Sequence, residues 1–238
     1  MLVSTKKIPP KDRLIVALDV PSAKDARELV TNLGDAVTFY KLGLELFMAE
    51  GYFDLVKWLV QERKNKVFVD LKFFDVPQTV ESAVRQLSSH GAFFTSVHGN
   101  DEILKAACRA KNGLKILAVT VLTSLDEADI KDLGFEGVSV EQLVLSRARR
   151  ALEIGCDGVI SSGQEARALR AFGDGFVIVV PGIRPVANVD DQKRTVDVEE
   201  AFENGADYIV VGRPIRSAPD PALAAQEIQR RIRALFPD

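Results

Sequence analysis

Cysteine and histidine are scarce in this chain, with two of each among 238 residues. Cys108 and Cys156 cannot form the disulfide framework that staples small secreted domains, and a reduced, cytoplasmic compartment is expected. His90 and His98 have no spacing partners for a metal site, and His98 reads as a strand-end histidine rather than a ligand. A basic excess is also missing. Lys and Arg number 31 against 34 Asp and Glu, a net charge of −3, which leaves no electrostatic footprint for nucleic acid. No apolar run approaches the ~20 residues of a membrane-spanning helix. The opening "MLVSTKKIPPKDR" lacks the apolar core and cleavage site of a secretory leader. There is no P-loop, no nucleophile elbow, no C-x-x-C, and no G-x-G-x-x-G after the first apolar run. These absences leave a protein that acts on small molecules, with no evident cofactor.

What is present is regular. Hydrophobic residues make up 47% of the chain, enough for a substantial core. Eight strand-like runs recur: 13–20, 38–46, 66–73, 93–99, 114–122, 158–162, 176–183 and 208–215. Between them lie segments of helical period at 22–33, 50–63, 79–90, 100–111, 140–154, 164–171 and 197–204, with a last one at 220–234. Ser22 is placed to cap the first of these. The chain also repeats itself: "GAFFTSVHG", "GCDGVISSG" and "GADYIVVGR" each run from a helix-ending glycine through a short turn into an apolar strand. Alternating strands and helices at this spacing predict a (β/α)8 TIM barrel, one domain over residues 1–238, with a doubly wound sheet as the main competitor. One connection is long: "TSLDEADIKDLGFEGVS" (123–139) predicts a short helix at 126–133 and reads either as a solvated excursion or as a lid over the active face.

Charges sit where strands should be buried. In "VFVDLKFFDVP", Asp70 and Lys72 are two residues apart on an apolar run, so both point to one face. Asp19 ends the first run and Lys41 lies in the second. Burying an unpaired charge is expensive, yet four residues of alternating sign on three successive strands can neutralise one another where they converge. That place is the C-terminal mouth of the barrel, which is the catalytic end. A purely structural ion-pair cluster is the competing reading. Asp75 lies beyond the strand and by itself reads as a loop or cap carboxylate.

The seventh and eighth runs end in "PGIRP" and "GRPI". Barrels often bind phosphate with the loops after these two strands. Gly212 allows close backbone approach, Arg184 and Arg213 supply forked donors for a phosphate dianion, and Gln192 can donate from the same side. Arg194 and Arg216 read as ordinary surface charges. From the residues alone, the chain handles a phosphorylated small molecule with a Lys–Asp charge network.

"DLKFFDVPQT" resembles the D-x-K-x-x-D signature of the orotidine 5′-phosphate decarboxylase family in its bacterial form. "LIVALDV", "YKLGLELF", "AVTVLTS", "PGIRP", "DDQKR" and "DYIVVGRPI" resemble family segments in the same order, so the likeness covers nearly the whole chain. "VHGN" departs from it, standing where small residues such as Ala and paired Gly are expected. The resemblance implies decarboxylation of orotidine 5′-phosphate to UMP without a cofactor. It implies that Lys72 is the proton donor, with Asp70 beside the substrate carboxylate. Asp19 and Lys41 would hold ribose hydroxyls, and Thr123 and Ser124 would meet the pyrimidine. Arg184, Gln192, Gly212 and Arg213 would bind phosphate. It further implies a homodimer in which Asp75 and Thr79 reach the neighbouring site. Two rivals are a Mg²⁺-dependent sugar-phosphate decarboxylase or synthase with the same D-x-K-x-x-D, and a silent phosphosugar-binding barrel.

Overall fold

In the computed structural model, which describes residues 2–183 and 194–237, eight parallel strands close into a barrel in sequence order, with β8 pairing back to β1. The strands are β1 (Leu14–Ala17), β2 (Phe39–Leu42), β3 (Lys66–Phe73), β4 (Phe94–Val97), β5 (Lys115–Val119), β6 (Gly158–Ile160), β7 (Val177–Val180) and β8 (Tyr208–Val211). The helices that wrap them are α1 (Ala23–Leu33), α2 (Leu44–Phe47), α3 (Tyr52–Lys57), α4 (Pro77–Ser88), α5 (Asp101–Ala110), α6 (Glu127–Asp132), α7 (Val140–Ile154), α8 (Ala166–Arg170), α9 (Val198–Glu203), α10 (Arg213–Arg216) and α11 (Pro221–Leu235). All eight expected strands and all eight expected helices are present, and the short helix of the long connection is α6.

Local chemistry explains the boundaries. The Ser22 hydroxyl accepts from the Asp25 N–H and starts α1. Asp126 and Asp129 cap α6 reciprocally, as Ser139 and Gln142 do for α7. Gly91, Gly155 and Gly205, the glycines of the repeat, all have left-handed φ, 75°, 98° and 100°, which lets the chain leave a helix and re-enter the sheet.

Seven of the eight runs are shorter as strands than their apolar pattern predicts, only β3 filling its expected span, and in two of them the remainder turns helical. β2 stops at Leu42 and β8 at Val211, and the apolar residues beyond them form α2 and α10. Leu44 and Leu46 continue the two-residue alternation of β2, so the pattern alone does not mark the change. Gly43 does: its backbone is extended and precedes the first turn of α2.

The barrel interior follows from strict alternation. Ile15, Phe39, Phe68, Phe94, Leu117, Val179 and Tyr208 point inward and are buried. The Phe94 ring contacts those of Phe39, Phe68 and Tyr208 at centroid distances of 5.5, 6.0 and 5.3 Å. These rings fill the barrel below the cavity at its C-terminal mouth, whose floor Phe68 forms in part. Outward-facing strand residues pack against the helices as a second, larger core layer. Cys108 and Cys156 are both free thiols, with Sγ atoms 3.6 Å apart. No helix of the described residues is long and apolar enough to cross a membrane.

Candidate active site

On the first three strands an inward charged side chain lies two residues beyond an inward apolar one: Asp19 follows Ala17, Lys41 follows Phe39, and Asp70 follows Phe68. They surround a cavity of about 260 Å³ whose floor includes Phe68, Val119 and Ile160. Charge alternates around it. Lys41 Nζ lies 3.0 Å from Asp19 Oδ1 and 3.5 Å from Asp70 Oδ2, and Lys72 Nζ lies 2.9 Å from Asp70 Oδ1. Burial pushes the Asp70 carboxyl up, but Lys41, Lys72 and the Ser96 hydroxyl outweigh it and hold it below the ordinary value of 3.8. Lys41 is the mirror case. Burial lowers its pKa, yet Asp70 and Asp19 raise it above 10.5 overall. Asp70 and Lys41 are therefore charged at neutral pH although both side chains are nearly buried.

Lys72 reaches this network by a different route from the one the alternation predicts. β3 and β4 pair in register as far as Val69 and Thr95, and again at Phe73 and Val97, so four steps on β3 match two on β4. The excess residues form a bulge in which Lys72 takes a left-handed φ of 47°. A non-glycine residue held there costs on the order of 1–3 kcal/mol. Ser96, on β4, offsets that strain. Its hydroxyl accepts from the Lys72 N–H at 2.9 Å and donates to Asp70 Oδ1 at 2.7 Å. The distorted backbone leaves the Lys72 side chain about one-third exposed, facing the cavity, while Asp70 stays at 10%.

Of the other expected site residues, Thr123, Ser124, Gly212 and Arg213 line the same cavity. Asp75 and Thr79 do not. Both are exposed on the outer surface, and Asp75 Oδ1 accepts from its neighbour's Val76 N–H at 2.6 Å. Arg184 and Gln192 lie outside the described residues.

Two arginines were misread as surface charges. Arg216, on α10, lines the cavity, and Arg194 is buried against Glu165. Nothing in "QKRTV" or "PIRSA" signals a partner on a distant loop for Arg194 or a place in the cavity wall for Arg216. Ser96 and Gly43 were not anticipated at all. A Cβ on Gly43 would stand 3.1 Å from Lys41 Nζ and 3.3 Å from Asp19 Oδ1, so only glycine leaves that ion pair undisturbed. Among the described residues no three His, Cys, Asp or Glu side chains are grouped as a metal ion requires.

Such a molecule is a (β/α)8 barrel of the enzyme kind, with an ionised polar mouth above an apolar floor. The orotidine 5′-phosphate decarboxylase / HUMPS family model matches residues 12–228, and the chain belongs to that family. It is 62% identical to the orotidine 5′-phosphate decarboxylase of Methylococcus capsulatus, over 98% of this chain and 97% of that one. It is 49% identical to that of Stenotrophomonas maltophilia, over 93% and 92%. The crystal structure of orotidine 5′-phosphate decarboxylase from Lactobacillus acidophilus superposes with a TM-score of 0.82 at 35% identity, covering 93% of this chain and 99% of that one.

Proposed function

We propose that the chain is a carboxy-lyase that converts orotidine 5′-phosphate to UMP in pyrimidine nucleotide synthesis, with Lys72 as the proton donor. Family membership and the 62% identity support the reaction. The observation that carries the mechanism is the Lys72 ammonium, ion-paired to a buried Asp70 and facing the open cavity.

The chemistry calls for such a group. When the bond from C6 of the orotate ring to its carboxylate breaks, CO2 leaves and the electron pair stays at C6. It occupies an in-plane orbital that the ring π system cannot delocalise. With no cofactor as an electron sink, the developing charge needs a fixed positive field at C6. Lys72 supplies that field and then a proton, and the resulting amine recovers a proton from water. Asp70, anchored by Lys41 and Ser96, aims it.

The remaining roles divide along the substrate. Asp19 and Lys41 hold the ribose hydroxyls, Thr123 and Ser124 face the pyrimidine, and Gly212 and Arg213 take the phosphate together with Arg184 and Gln192. Binding energy from the remote phosphate then lowers the barrier at C6.

Asp75 and Thr79 serve the site of a second copy of the chain in a homodimer. Asp75 is flanked by Phe74 and Val76, 68% and 62% exposed, apolar side chains that a partner would cover. Free thiols and a nucleotide substrate fit a cytoplasmic enzyme. The fall in absorbance as orotidine 5′-phosphate becomes UMP tests the activity.

A further inference from the structure

We propose that Arg194 is a positioning residue for the pyrimidine end of the site. It fixes the segment after β5 and thereby sets where Thr123 and Ser124 stand; the inference rests on the reading of the cavity as a nucleotide site.

The geometry is specific. Arg194 is 8% exposed and Glu165, which follows β6, is 6% exposed. One arm of the guanidinium, Nη1, donates to Glu165 Oε1 at 2.5 Å. The other, Nη2, donates to two successive backbone carbonyls, Val121 at 3.2 Å and Leu122 at 3.0 Å. Val121, Leu122, Thr123 and Ser124 all line the cavity. The strand itself has ended at Val119, so these carbonyls have lost the sheet ladder as a partner. One residue earlier, Arg147 donates to the Thr120 carbonyl at 2.6 Å. Three consecutive carbonyls leading into the cavity wall, Thr120 to Leu122, thus accept from two guanidinium groups, the Leu122 carbonyl also accepting from the Leu125 N–H at 3.0 Å.

Only a planar fork spans this arrangement, because Glu165 and the two carbonyls lie on different elements. An amine can satisfy one side at a time. The pair is not optimised as a stabilising ion pair: Glu165 Oε2 and Arg194 Nε are buried with no partner among the described residues. A buried pair of that kind is often replaceable by apolar residues at little cost in stability. What such a replacement would lose is the hold on the Val121 and Leu122 carbonyls.

Two ligands separate this role from a general structural one. UMP carries the pyrimidine, and ribose 5-phosphate does not. In the unaltered enzyme both should bind, measured by calorimetry or by inhibition of turnover. In Arg194→Lys, UMP binding and kcat/KM should weaken roughly tenfold to a hundredfold, the worth of one charge-assisted hydrogen bond, while ribose 5-phosphate binding stays within about twofold of the unaltered enzyme. The double variant Glu165→Leu/Arg194→Leu removes both buried charges. It should fold with near-unaltered stability and show the same loss confined to UMP. Equal weakening of both ligands would place Arg194 at the phosphate end and overturn the proposal. So would a double variant that binds UMP like the unaltered protein. Failure of the unaltered enzyme to bind UMP would instead sink the nucleotide reading on which the proposal rests.

Discussion

Lys72 Nζ donates to Asp70 Oδ1 over 2.9 Å from a residue whose own backbone is left-handed. Side chain and backbone are tied to the same carboxylate, because Ser96 accepts from the Lys72 N–H and donates to Asp70 Oδ1. The proposed proton donor is therefore aimed by a strained bulge and not by a regular strand.

The strain is measurable. Lys72→Gly and Lys72→Ala both remove the ammonium, but only glycine relaxes at φ 47°. Lys72→Gly should be the more stable of the two by about 1 kcal/mol in denaturant unfolding. Ser96→Ala should destabilise the fold by about 1–3 kcal/mol, since it leaves the half-buried Lys72 N–H unpaired and the buried Asp70 short of a donor. It should also lower kcat more than it raises KM. Equal stability of the two Lys72 variants would remove the strain from the account.

How much of this was readable in the sequence depended on how local the information was. The strand–helix order, the helix-ending glycines and the placing of Asp19, Lys41 and Asp70 at the ends of the first three strands follow from apolar period and alternation within each segment. The Lys72 bulge does not, because it is enforced by Ser96 on the neighbouring strand. The burial of Arg194 likewise depends on Glu165, 29 residues earlier, and on the carbonyls of a loop more than 70 residues earlier. The turn from β2 into α2 was hidden because Leu44 and Leu46 mimic a strand's alternation.

His98 gives the fold a pH dependence. Burial pushes its pKa below the ordinary 6.5, and the Arg147 and Lys72 cations add to the effect. The native state thus declines a proton that the unfolded chain accepts. Stability should fall as pH drops through 6.5 towards the lowered native value, and His98 should contribute no such loss above about pH 7.5. His98→Gln should flatten the stability profile between pH 7 and pH 5. An unchanged slope in that variant would assign the effect elsewhere.

The shared-site reading of Asp75 is tested by mixing. Lys72→Ala and Asp75→Asn should each be nearly inactive. After subunit exchange, half of the dimers are mixed, and one site in each combines an intact Lys72 with its partner's intact Asp75. About a quarter of unaltered activity should return. If mass spectrometry shows exchange and no activity returns, Asp75 serves its own chain, and the roles of Asp70 and Lys72 stand unaffected.

The central claim is that a protein ammonium, not a cofactor, meets the charge left at C6. Its most direct test is turnover of orotidine 5′-phosphate by the unaltered enzyme and by Lys72→Ala, followed by absorbance in the presence of a metal chelator. The account predicts rapid formation of UMP by the unaltered enzyme, undiminished by the chelator, and a loss of several orders of magnitude in Lys72→Ala while circular dichroism shows the barrel intact. Near-unaltered turnover in Lys72→Ala, or its abolition by the chelator in the unaltered enzyme, would contradict it.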